Sequence, residues 1–141
     1  MYVVLHLFIN NIVAYKSNLS QLIITNAILL AVLTIPYIFS PKSFLINKHH
    51  IIIKKGFGET KIPLKNVVEA KQIPCITKIR LRLLGSAGLY GYFGYFYIPD
   101  IGLVRMYATR LHDLLLIRCK NNKTYVISPE NTFEFIKSII K

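Results

Sequence analysis

The spacing of apolar residues changes character once along this 141-residue chain, near residue 40. Upstream of that point apolar positions run together. From Leu22 to Phe39 the chain reads LIITNAILLAVLTIPYIF without a charge, and a helix rising about 1.5 Å per residue would carry it across about 27 Å, nearly a hydrocarbon core. The pattern predicts a transmembrane helix, and the anchor is bounded at residues 19–40. Thr25, Asn26 and Thr34 are tolerable in such a helix, Pro36 falls near its end, and Tyr37 suits the interface. A buried core helix would show a polar stripe, and none is present. A cleaved signal peptide is opposed by a single upstream cation, Lys16, and by PYIFSPKS, which lacks a small-x-small cleavage pattern. The segment before the anchor, residues 1–18, begins with MYVVLHLFINNIVA, which as a helix would reach only about 21 Å. It is read as interfacial or as part of a first span.

From Ser43 onward the period becomes two, and short apolar runs are cut by turn residues. Strands are expected over SFLIN (43–47), IIIKK (51–55), TKIPL (60–64), VVEAKQI (67–73), YFGYFYI (92–98), LVRMYAT (103–109), DLLLIRC (113–119) and KTYVI (123–127). Pro63 belongs on an edge strand, where a missing N–H does no harm. GFG at 56–58, PDIG and KNNK supply the reversals. The chain closes with NTFEFIKSIIK, where Asn131 caps a helix and Glu134 stands at the capping-box position three residues on. Phe133, Ile136 and Ile140 share one face of that helix and are expected to dock it over an open end of the strands.

Charge adds orientation to this outline. The chain has 18 Lys and Arg against 6 Asp and Glu, and Lys16 is the only one of these 24 residues before residue 40, so the part beyond carries a net +11. Under the positive-inside rule that part faces the cytoplasm, beside an anionic leaflet. The carboxyl-terminal domain is thus expected inside the cell, with the anchor in the membrane that bounds it. Cys75 and Cys119, two thiols far apart, fit a reducing compartment better than a disulfide framework. The nearest approach to a metal motif is KHH at 48–50, and neighbouring strand residues would point apart, so a turn is the expectation and no metal site or cofactor is assigned.

Two longer stretches resemble a known family. RLLGSAGLYGYFGYFYIPDIGLVRMYATR (82–110), followed by VISPENTFEFI (126–136), is similar to the bacterial pleckstrin-homology (PH)-like domains, with a glycine and aromatic run, a Tyr-Ala-Thr strand and an Ile-Ser-Pro strand end leading into the last helix. The resemblance covers about residues 42–140. It implies an all-β fold with a C-terminal helix, a PH-like β-sandwich or barrel of about seven antiparallel strands capped by one α-helix, here assigned to residues 41–141. In that family the domain commonly follows one or two transmembrane helices. The resemblance brings no catalytic residues and no single ligand.

Site chemistry must therefore come from particular residues. KIRLR (78–82), if extended, presents Lys78, Arg80 and Arg82 on one face, a candidate patch for anionic lipid headgroups, with a solvated face as its plain alternative. Phe93, Tyr95 and Tyr97 share one strand parity and Tyr92 and Phe96 the other, so both faces of that strand would be aromatic. Either both sets are covered by protein, the last helix included, or some rings form a docking surface for lipid headgroups or for another protein, with those near Tyr92 and Tyr95 the candidates for a protein partner. The glycines between them point to a bulge or a close backbone approach. Nucleic acid is the rival that interleaved cations and rings raise, but GYFGYFYI departs from the RNA-recognition pattern in its missing leading cation and its glycine spacing, and interior helices are wanting. The six carboxylates are scattered, and His112 beside Asp113 is a dipeptide whose side chains would face apart, so an enzyme is not expected. The sequence reading is a non-catalytic, membrane-anchored binding or scaffolding module.

Overall fold

The structure is a computed structural model that describes residues 2–13, 19–79 and 81–140. It divides into two units, Met1–Pro36 and Tyr37–Lys141.

The first unit holds α1 (Tyr2–Val13) and most of α2 (Leu19–Phe39). Along α2 the polar side chains turn back on the helix: Thr25 and Thr34 hydroxyls donate to the carbonyls of Gln21 and Leu30 at 2.8 and 2.6 Å, and the Asn26 amide donates to Leu22 at 2.9 Å. Each is satisfied without water, as an apolar surrounding demands. Ile23, Ile24, Ile28, Leu30, Val32 and Ile35 are exposed.

The second unit is a β-sandwich closed by a helix, as expected. Three strands, β1 (Pro41–Ile46), β2 (His50–Lys55) and β3 (Glu59–Pro63), form one antiparallel sheet in that order, which places Pro63 on an edge strand. A short 3-10 turn, Leu64–Asn66, leads to β4 (Val67–Cys75). It is followed by β5 (Leu81–Ala87), β6 (Tyr92–Ile98), β7 (Gly102–Ala108), β8 (His112–Cys119) and β9 (Thr124–Ile127). The second sheet runs β4-β8-β9-β7-β6-β5.

The strands therefore number nine rather than about seven, and one pair departs from the antiparallel expectation. The β7–β8 connection sets β8 one position away from β7, and β9 returns into the gap, parallel to β7 and antiparallel to β8. The strand absent from the expected set is β5. Its residues do not alternate, because it is an edge strand with a bulge between Arg82 and Leu84, and Leu81, Leu83 and Leu84 all remain exposed.

Two cores result. Ile51, Ile53 and Ile62 of the small sheet pack against Leu115, Ile117, Tyr125 and Ile127 of the large one. The other face of the large sheet gathers Phe96, Ile98, Val104, Met106, Leu114, Leu116 and Val126 around Ile76, all from that sheet or the residue just past β4, so the sheet curls about its own core. Because β8 is covered on both faces, Leu114–Ile117 are buried without a break, and their apolar run shows no period of two.

The last helix, α3 (Thr132–Ile140), begins at the predicted cap: Asn131 Oδ1 accepts the Glu134 N–H at 3.2 Å. Its buried stripe is a correction. Phe135, Ile136 and Ile139 pack on the first core, with Thr132 buried, whereas Phe133 and Ile140 point outward. Positions 132, 135, 136 and 139 make the full i, i+3, i+4, i+7 stripe, while 133 and 140 fall on the side of Lys137, whose ammonium lies 4.3 Å from the Phe133 ring centre. The helix packs on β1, β4 and β8 and does not cover the ring strand β6.

Candidate anion-binding site

The KIRLR stretch does not form one strand. Lys78 lies exposed in the connection after β4, Arg82 is exposed in β5 opposite Phe96, and Arg80 lies outside the described residues. Among the described residues of this stretch, Lys78 stands outside β5, which starts at Leu81, and a bulge follows Arg82.

The rings of β6 divide between the two faces of the sheet. Phe93 and Phe96 are buried, Tyr92 is half-buried against the second core, and Tyr97 is exposed. Tyr95 is half-buried with the Arg105 guanidinium 4.9 Å from its ring centre. Burial works against the Arg105 charge, but Tyr125 as a hydrogen-bond partner, with Tyr107 and Tyr95 near, outweighs it and raises the Arg105 pKa. The glycines answer to a close approach. Gly85 and Gly94 face each other across β5 and β6, and a Cβ on either would stand 2.0 Å from a carbonyl oxygen of the opposite strand.

A second grouping of basic side chains lies at one end of the small sheet. The β1–β2 turn and the end of β3 bound a cavity of about 350 Å³ lined by Lys48, His49, His50, Pro63, Leu64 and Lys65. The turn is fixed by its own chemistry. Asn47 Oδ1 accepts the N–H groups of His49 and His50 at 3.1 and 2.9 Å, and the Asn47 N–H donates to the His50 carbonyl at 3.0 Å. The Leu64 N–H donates to the His49 carbonyl at 2.9 Å, which brings Lys65 beside Lys48 from the far side of a strand pair. Adjacent histidines reach one cavity because His49 is in the turn and His50 opens β2, so the opposite-face rule for strands does not apply to them.

No carboxylate lines this cavity. Elsewhere Glu59 pairs with Lys61 at 2.8 Å, Glu69 with Arg118 at 3.1 Å and Lys71 at 3.4 Å, and Asp113 with Arg110 at 3.2 Å. Burial opposes the Asp113 charge, but bonds from Gln72, Thr132 and Arg110 outweigh it and hold that carboxyl below its ordinary range. Lys48 and Lys65 have no ion-pair partner among the described residues. A larger groove, about 490 Å³ between β1 and α3, mixes Lys42 and Arg110 with Glu130 and Glu134 and so has no single charge preference. The basic cavity is what reading by strand period missed; the signal available was KHH beside Asn47, a turn former next to three titratable or cationic side chains.

Of the two thiols, Cys75 is exposed and Cys119 buried, and both are free. Burial pushes the Cys119 thiol up, against a smaller opposite effect of Lys123.

A two-sheet sandwich with a carboxyl-terminal helix and a turn-lined cavity is the outline of a small binding domain. The family profile described as the bacterial PH domain matches residues 42–141, and the chain belongs to that family. Such domains are in general non-catalytic binding modules. Searches of curated proteins and of solved structures return no match.

Proposed function

We propose that this chain is a membrane-anchored module whose cytoplasmic domain, residues 41–141, binds a phosphate-bearing anion through Lys48, His49, His50 and Lys65. The observation that carries it is the open, acid-free cleft lined by these four side chains around a turn fixed by Asn47. Its size falls at the small end of ligand pockets, suited to a phosphate or a phosphorylated headgroup rather than a polymer. Charge-assisted bonds from two lysines and two imidazole N–H groups supply the recognition. The anchor in this reading is residues 19–40, with residues 1–18 as an apolar leader to it and the cell's inner membrane as its site. Its support is an exposed apolar helix with internally bonded polar side chains, followed by the basic domain.

The test is titration of pyrophosphate into the full chain in neutral-lipid nanodiscs, read by calorimetry. Saturable binding should weaken about tenfold or more in Lys48→Glu/Lys65→Glu, the loss expected from removing charge-assisted contacts, and change little in Lys78→Glu/Arg82→Glu. The reverse pattern would move the anion site to the 78–82 segment. No binding in the unaltered chain would sink the anion reading. A protein partner is the second reading, favoured by the free edge of β5, where Leu81, Leu83 and Leu84 are exposed near Tyr97.

A further inference from the structure

The end of α2 is fastened to the β-domain by bonds that belong to the second unit. A helix leaves its last carbonyls without partners, and here Tyr37 O accepts the Ser40 hydroxyl at 2.8 Å while Ile38 O accepts the Phe57 N–H at 2.8 Å. Gly56 permits this: a Cβ there would meet the Ile38 and Tyr37 carbonyl oxygens at 2.8 and 2.9 Å. The β2–β3 turn is thereby held against residues 37–40, and Phe57 at its tip is 75% exposed.

A second hairpin tip reaches the same place. Tyr90, between β5 and β6, packs edge-on against Tyr37 with ring centres 5.3 Å apart, and it holds a left-handed φ of +59°, a costly conformation for a tyrosine. Bonds from the Ser86 hydroxyl to Leu89 O at 3.0 Å and from the Gly88 N–H to Gly91 O at 3.1 Å set this tip. Leu89 and Tyr90 are 38% and 46% exposed. Lys42 lies 3.7 Å from the Tyr37 ring centre, and Lys54 and Lys55 precede the Phe57 turn.

These features share one position, the residues at which an apolar helix ends. As the span proposed above, α2 at 21 residues would be about 32 Å long, matching a hydrocarbon core and bringing Tyr37–Phe39 to its boundary. Side chains bonded to or stacked on that turn are then at the same depth, whatever direction the helix takes. We infer that the β2–β3 and β5–β6 hairpin tips sit in the interface of the bilayer that α2 crosses, with Phe57, Leu89 and Tyr90 among the acyl boundary and Lys42, Lys54 and Lys55 at the phosphates. The occupant is the lipid itself: rings and a leucine at the tips, cations directly behind, and covalent continuity with the apolar helix form the combination an interfacial anchor requires. This rests on reading α2 as a span, and it assigns the domain a second, direct hold on the membrane.

The chain contains no tryptophan, so single substitutions report their own surroundings. The full chain is reconstituted in phosphatidylcholine/phosphatidylglycerol vesicles, with and without brominated acyl chains, carrying Ile35→Trp, Phe57→Trp, Tyr90→Trp or Leu103→Trp. All four sites are exposed, and Leu103 lies at the end of β7 opposite the Tyr92–Ala108 pair beside the β5–β6 hairpin. Emission at positions 35, 57 and 90 should fall to about half or less with brominated lipid, and at 103 it should not change. Quenching at 35 without quenching at 57 and 90 would overturn the inference and leave the span standing. No quenching at 35 would remove the span and the inference with it. Equal quenching at 103 would also overturn it, since the domain would then lie along the surface instead of touching it at two tips.

Discussion

At the scale of single residues, the facing pair Gly85 and Gly94 explains why glycines punctuate the ring strand. Both have positive φ, +127° and +123°, and the two strands approach so closely that either Cβ would overlap a backbone oxygen, an atom that cannot swing aside. Gly94→Ala must push β5 away from β6 and should cost about 3 kcal/mol or more, within the range of severe backbone clashes. Gly58→Ala is the control. It has φ +73° but open space around it, so it incurs only the left-handed penalty of about 1–2 kcal/mol. Thermal unfolding of the two variants in detergent micelles checks this, and equal losses would remove the cross-strand contact as the reason for glycine at 94. The sequence pointed to a bulge or a close approach at Gly94; it could not say which backbone came close, because β5 itself was hidden.

At the scale of elements, α3 shows why some of the fold was legible and some was not. Its existence, its cap at Asn131 and its length follow from local chemistry, but its buried side depends on where β1, β4 and β8 meet it in the folded domain. With apolar residues on two sides of nine positions, spacing alone admits two stripes. Replacing Ile136 by Ala should cost about 1–3 kcal/mol, less than a fully buried isoleucine because it is half-buried, whereas Phe133→Ala should stay within about 0.5 kcal/mol. Chemical denaturation of the two variants distinguishes the stripes, and a larger loss at Phe133 would restore the 133/136/140 face. The same logic separates the strands. β2, β3 and β6 to β9 carry alternation or flanking turns and were readable to within about two residues, an ordinary boundary uncertainty. β5 was not, since an exposed, bulged edge has no buried face to impose a period. The basic cavity was illegible for a further reason: Lys48 and Lys65 are 17 positions apart and reach one cavity through the pairing of β2 with β3 and the bond between Leu64 and His49.

At the scale of the whole domain, the two ends of β2 carry opposite tasks in the readings proposed here, and the distance between them decides what ligand the cavity meets. His50 opens the strand at the cavity, and Lys55 closes it next to the Gly56–Phe57 turn. Five steps of about 3.3 Å place the cavity roughly 17 Å from that turn. The field of an anionic leaflet decays over about 8–10 Å at moderate salt. If the Phe57 end sits at the membrane and β2 rises away from it, the cavity lies beyond most of that field and out of reach of headgroups in the same leaflet, so its phosphate must arrive from solution or from a soluble partner. Pyrophosphate affinity should then be the same, within about twofold, in neutral nanodiscs and in nanodiscs rich in phosphatidylglycerol at 0.15 M salt, because neither competition nor repulsion extends that far. Binding that weakens tenfold in the anionic discs, and recovers there when the salt is raised enough to screen the leaflet, would place the cavity at the headgroups instead. The domain would then have to lie along the membrane with β2 parallel to it, and the hairpin tips would lose their privileged depth. Each arrangement thus predicts a lipid response that the other forbids, and a single pair of titrations on the intact chain chooses between a ligand held away from the membrane and one drawn from it.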